Sequence, residues 1–142
     1  MTIFYFDIKH ALREHDKLLK LDGGLSGEPN IGLLESPLIH IQNNDYYPNF
    51  EDKLTHLVYC VVKDHPFNDA NKRSGLILGG YFLEINGYDY CVNKFFKEME
   101  NIEVSLAQGD INKELLQKII TSIIFETEFP ESLKLEIIDA IS

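Results

Sequence analysis

The sequence predicts an all-α protein, a helical bundle with little or no strand. Apolar residues recur at spacings of three and four through most of the chain, the signature of helices with one buried face. Residues that start helices (Asp7, Asn49, Pro130) and residues that stop them (Gly23-Gly24, Asn86-Gly87, Gly109) punctuate those segments in the right order. Only "TIFYF" at the N-terminus reads as a short strand or an extended lead-in.

Taken in order, residues 7–21 place Ile8, Leu12, Leu18, Leu19 and Leu21 close to one helical face, with Asp7 as the N-cap. "DGGLSGEPNIG" is a loop with four glycines and a proline. "LLESPLIHI" reads either as a helical turn or as an extended flap, broken near Pro37. After the loop "NNDYYPN", Asn49 caps a helix over residues 50–64 whose stripe is Phe50, Leu54, Leu57, Val58, Val61 and Val62.

Residues 72–85 form a helix apolar on nearly every side, which implies a central position. Asn86-Gly87 stops it. A helix from Asn93 runs to Gly109, another covers about 111–126, and Pro130 opens a last one over "ESLKLEIIDAI". With 142 residues and no linker, the chain reads as one domain over 1–142, with residues 127–142 as a C-terminal extension helix.

Composition narrows the function. A formal net charge of −10 argues against general nucleic-acid affinity, which needs a basic face. No apolar run is long enough to span a bilayer, so no membrane role is expected. The first residues lack the basic and apolar regions of a signal peptide. Cys60 and Cys91 have no metal-site spacing and read as reduced thiols of a cytoplasmic protein, Cys60 being buried in an apolar helix.

The chemistry concentrates in residues 65–75, "HPFNDANKRSG". Lys72 and Arg73 stand where a helix begins, at the positive end of its dipole, where cations are unfavourable. An anion resolves the conflict. The first N–H groups of a helix lack intrahelical partners and can cradle phosphate oxygens, and small Ala70 lets a ligand approach the backbone. Arg73 can grip two oxygens at once and Lys72 adds charge.

Asp69 either caps the helix or holds a Mg²⁺ bridging phosphate groups. Asn71 donates to a phosphate or fixes the turn. His65 titrates near neutral pH and suits a general base. Phe67 has no chemistry to offer and reads as the anchor that pins the loop. Singly, His65 would pass for a helix C-terminal residue, Asp69 and Asn71 for turn residues, and Lys72-Arg73 for solvated surface. Those readings leave the nine-residue spacing unexplained.

"HPFNDANKR" resembles the Fic/Doc signature H-P-F-x-(D/E)-(G/A)-N-(G/K)-R at all nine positions, and Lys72 is similar to the Doc (death-on-curing) branch. "GGLSGEPNIGLLESPLIH", "YYPNFEDKLTHL" and "LAQGDINKELLQKII" resemble flanking Doc segments in the right order, over about residues 1–126. The resemblance implies a Fic-type helical bundle with the active-site loop between two central helices. It implies His65 as the base for a protein hydroxyl and Asp69 as the Mg²⁺ ligand. Asn71, Lys72 and Arg73 would hold phosphates with the N–H groups of residues 69–72, and residues 33–41 would be the flap that aligns the target.

By the same resemblance, Lys72 implies transfer of the γ-phosphate of ATP to a hydroxyl of a target protein, such as elongation factor Tu. The protein would then be the toxin of a toxin–antitoxin pair, with an antitoxin helix seated near the site. The alternatives are a Fic-type AMP transferase and a non-catalytic module that binds nucleotide or a partner. Glu28, Pro29 and Asn30 replace the usual Arg-Asp stretch, and Pro37 replaces an Ala, departures that bear on the target more than on nucleotide chemistry. Ser122 and Glu126 fit part of the inhibitory Ser-x-x-x-Glu helix of some Fic proteins, whose Glu pairs with the motif Arg. Thr127 breaks that pattern, and the plainer reading is a surface helix.

Overall fold

The computed structural model describes residues 2–7, 9–11, 13, 31–64 and 71–142, apart from the side chains of 31–34, 64 and 71–75. From residue 31 onward six α-helices follow one another, and no strand occurs among the described residues. They are α1 (Ile31–His40), α2 (Phe50–Asp64), α3 (Asn71–Ile85), α4 (Val92–Gln108), α5 (Lys113–Phe125) and α6 (Glu131–Ile141). A 3-10 turn, Asp89–Cys91, leads into α4.

The N-terminal residues are an extended lead-in, not a strand. Their backbone pairs with a side chain: Phe4 N–H donates to Asn86 Oδ1 at 2.7 Å, and Asn86 Nδ2 donates to the Phe4 carbonyl at 2.9 Å. Phe6 and Tyr5 lay their rings near Phe82. Asp7 caps as expected, its carboxylate accepting from His10 N–H at 3.1 Å, and residues 9–11 and 13 are helical. The remainder of the helix expected over 7–21, and the glycine-rich loop with Glu28, Pro29 and Asn30, lie outside the described residues.

α1 corrects the break expected at Pro37. The helix continues through that residue, and Ile41 N–H donates to the Pro37 carbonyl at 3.1 Å. A proline forfeits one hydrogen bond and crowds the preceding turn. Here Pro37 and Leu38 are both buried, and that burial holds the turn together.

α2 is the hub of the bundle, in contact with α1, α3, α4 and α5. Its predicted stripe is buried throughout, but so are Lys53, Thr55 and His56 on its other sides. Lys53, 0% exposed, donates to the Ile41 carbonyl at 2.6 Å and to Asn44 Oδ1 at 2.8 Å, tying the end of α1 to the core. Cys60, expected to be buried, is half-buried, and Cys91 is buried.

α3 runs between α2 and α4, its closest neighbour being α2. Gly79 and Gly80 make this approach possible. A Cβ on Gly79 would stand 2.6 Å from the buried Phe95 ring, and one on Gly80 would stand 2.5 Å from Phe96. Gly87, at φ +85°, then terminates α3, with Tyr88 N–H donating to the Leu83 carbonyl at 2.9 Å.

α4 ends at Gly109, φ +90°, as the sequence predicts. α5 starts two residues later than expected, because Asn112 is its cap: the side chain accepts from Leu115 N–H at 2.8 Å. α6 follows Pro130 and packs on α5 through Leu133.

Candidate active site

The helix ends decide where the motif stands. α2 ends at Asp64 and α3 begins at Asn71, so residues 65–70 join the two most closely packed helices of the bundle. His65, Phe67, Asp69 and Ala70 lie outside the described residues. Asn71, Lys72 and Arg73 form the first turn of α3; their backbone is helical and their side chains are not among those described.

That first turn is cationic and acid-free; the first turns of α1 and α4 also lack an acidic residue. α2, α5 and α6 each carry acidic residues in their first turn, Glu51 and Asp52, Glu114, and Glu131 respectively. Such residues offset the positive end of the helix dipole. The first turn of α3 has none and carries Lys72 and Arg73. Its leading N–H groups lack intrahelical acceptors, and two of its residues are cationic in sequence. An anion is the complement of that arrangement.

The scaffold holds this helix start in place. Close packing at Gly79 and Gly80 fixes α3 against α2 and α4, and the Asn86 amide ties its far end to the N-terminal lead-in. The segment expected to act as a flap, residues 33–41, is mostly α1, so it presents a helix and not an extended edge. Beside α1, Tyr5, Phe6, Asp7, His10, Glu35 and Leu38 line a cleft of about 520 Å³.

A polar cluster on the flank of α2 has no signature in local spacing. His56, 8% exposed, accepts a hydrogen bond at Nδ1 from the ammonium of Lys113, 2.7 Å away and 57 residues along the chain. An ammonium can only donate, so Nε2 bears the ring proton, which points toward the Tyr47 hydroxyl at 3.4 Å. Burial first, then the Lys113 and His40 charges, lower the His56 pKa from 6.5 to about 4. The imidazole is neutral at pH 7.

The inhibitory reading of Ser122 and Glu126 meets a geometric obstacle. Ser122 is 1% exposed inside the bundle, and Glu126 caps the C-terminal end of α5. That end is tied to the residues that follow α3: Tyr90 Oη donates to the Ile124 carbonyl at 3.0 Å, and Lys94 Nζ donates to the Glu126 carbonyl at 2.9 Å. α3 has 15 residues, so its first turn is about 20 Å away along the axis. Glu126 belongs to the opposite end of the bundle from Arg73, and α5 is not a surface helix either: Leu116, Ile119, Ile120 and Ser122 are buried in the bundle.

The sequence profile of the Fic/DOC family matches residues 5–83, which span α1, α2, the connecting loop and nearly all of α3. The chain belongs to the Fic/DOC family, and so to its class of transferases. Within that family it falls on the Doc branch. It is 32% identical over 102 residues to the protein kinase doc of Escherichia phage P1, covering 69% of this chain and 78% of that protein. No solved structure gives a significant match. Among the described residues, no helix is long and apolar enough to cross a membrane.

Proposed function

We propose that this protein is a Doc-type protein kinase: it transfers the γ-phosphate of ATP to a hydroxyl side chain of a target protein. The observation that carries this reading is the motif "HPFNDANKR" spanning the α2–α3 connection, with Lys72 and Arg73 in an otherwise acid-free first turn. The similarity to a protein kinase supports the same choice over AMP transfer. The toxin role, with an antitoxin partner, follows from the same branch.

In this reading the helix start binds the ATP phosphates through its N–H groups, Lys72 and Arg73. Asn71 adds a donor, and Phe67 anchors the loop. His65 takes the proton of the target hydroxyl as its oxygen bonds to the γ-phosphorus. The bond from that phosphorus to the bridging oxygen breaks, and ADP leaves. The two cations stabilise charge on the phosphoryl oxygens during transfer.

A Mg²⁺ fits the donors present. Asp69 of the motif, a hard oxygen donor, is the residue that would hold the ion. When bound with ATP, the metal neutralises phosphate charge and orients the phosphates.

The test is to incubate the protein with a bacterial lysate, Mg²⁺ and ATP labelled separately at the α- and γ-phosphates, beside His65→Ala. Label transferred to a protein band from the γ position only, and absent with His65→Ala, is the expected result. Label from the α position would make the protein an AMP transferase. No label from either, with the protein folded, would favour a non-catalytic module.

A further inference from the structure

Phosphotransfer leaves unused the cluster between α1, α2 and the start of α5. Lys113, half-buried at the first position of α5, donates to His56 Nδ1 at 2.7 Å. Its ammonium lies 5.6 Å from the centroid of the Tyr47 ring and 5.5 Å from that of Tyr59. Among the described residues no carboxylate comes within ion-pair distance of it, although the chain has 23 acidic residues against 13 basic ones. His40, exposed at the end of α1, sits with its ring 5.8 Å from that of His56, and Ser36 Oγ lies 3.4 Å from His40 Nε2.

The cluster holds cationic groups against His56, with Glu114 and Asp52 a residue or a turn away. The protein is strongly acidic, yet the charged groups acting on His56 are Lys113 and His40, both of the cationic type. A neutral imidazole and two ring faces satisfy Lys113 only in part, because an ammonium has three N–H donors. A half-buried charge in that condition gains most from an external anion.

We infer that the cluster around Lys113 is an anion-accepting exosite for an acidic peptide segment of a protein partner. The Lys113 ammonium binds a carboxylate, while Tyr47 and Tyr59 supply ring faces and hydroxyl donors at its sides. One lysine suits one or two carboxylates. A nucleic acid would bring a continuous polyanion against a surface of net charge −10, which opposes it. His56 stands eight residues before Asp64, about 12 Å along α2 from the motif loop, so a partner could hold both sites at once. The inference goes beyond the kinase reading and does not depend on it.

The test follows the histidine ring signals by ¹H–¹³C NMR at pH 7 and 0.15 M salt while hexaglutamate peptide is added. The His56 and His40 signals should shift saturably. Lys113→Gln should weaken that response at least tenfold, and the double variant Lys72→Ala/Arg73→Ala should leave it intact. Should Lys113→Gln fail to fold, Tyr59→Leu takes its place, with a several-fold weakening expected. Absence of a saturable shift, a shift at His65 alone, or a response unchanged by the Lys113 and Tyr59 variants would overturn the inference. So would a response to a single-stranded DNA oligomer in place of hexaglutamate.

Discussion

The starts of α2 and α3 make an instructive pair. Both helices have 15 residues, and they pack on each other more closely than any other two. α2 closes its own N-terminus. Glu51 and Asp52 offset the dipole, Asn49 N–H donates back to Asp52 Oδ2 at 3.0 Å, and the Asn49 carbonyl accepts from Asp52 and Lys53. α3 does the opposite, with two cations and no acid in its first turn. The difference separates a helix end whose charges offset the dipole from one whose charges oppose it.

The largest effect that sharpens this contrast is at His65. A general base contributes about 10²–10⁴-fold. His65→Ala should therefore lower kcat for phosphotransfer by about a thousandfold and leave ATP affinity nearly unchanged, because the base acts in the transition state. Single-turnover kinetics with γ-labelled ATP and equilibrium ATP binding check the two halves. A parallel loss of affinity would move His65 from the chemistry to the binding site.

Next comes a pH effect on the closed, structural side of α2. The His56 pKa is about 4 when folded, below its ordinary 6.5. Its contribution to stability is full above pH 6.5 and is lost as pH falls toward 4, because only the unfolded chain takes up the proton in that window. The loss reaches at most about 3 kcal/mol. Urea unfolding at pH 7 and pH 4.5 measures it, and His56→Gln should flatten the dependence.

Gly79→Ala should cost about 1–3 kcal/mol by overpacking, since its Cβ meets the fully buried Phe95 ring and Val58. Gly80→Ala should cost less, because Phe96 is only partly buried and can move. Thermal unfolding of the two variants tests that order. Asp52→Ala, which removes the acceptor of the Asn49 N–H bond and of the bond from Gln117, should cost about 1 kcal/mol.

Helices and their stops were legible in the sequence because their causes are local. Gly87 and Gly109 adopt the left-handed conformation where a stop was expected, and Asp7 caps where it was expected to. Pro37 was misread because a local rule met a tertiary fact: burial of Pro37 and Leu38 outweighs the broken turn. The burial of Lys53 and His56 has no local signal in the sequence. Their partners, Ile41, Asn44 and Lys113, come from other elements, which no window around α2 contains. The motif stood out in the sequence because its nine residues are consecutive.

The most direct test of the open helix start is a calorimetric titration of Mg·ATP into the wild type, His65→Ala and the double variant Lys72→Glu/Arg73→Glu, each also melted without ligand. The account predicts equal binding by the first two and none by the third. It also predicts that the third is at least as stable as the wild type, because acids at this position complement the dipole by about 0.3–1 kcal/mol each. Binding that survives in the double variant, or a double variant that unfolds well below the wild type, would contradict the account: the two cations would then hold the fold and not a nucleotide.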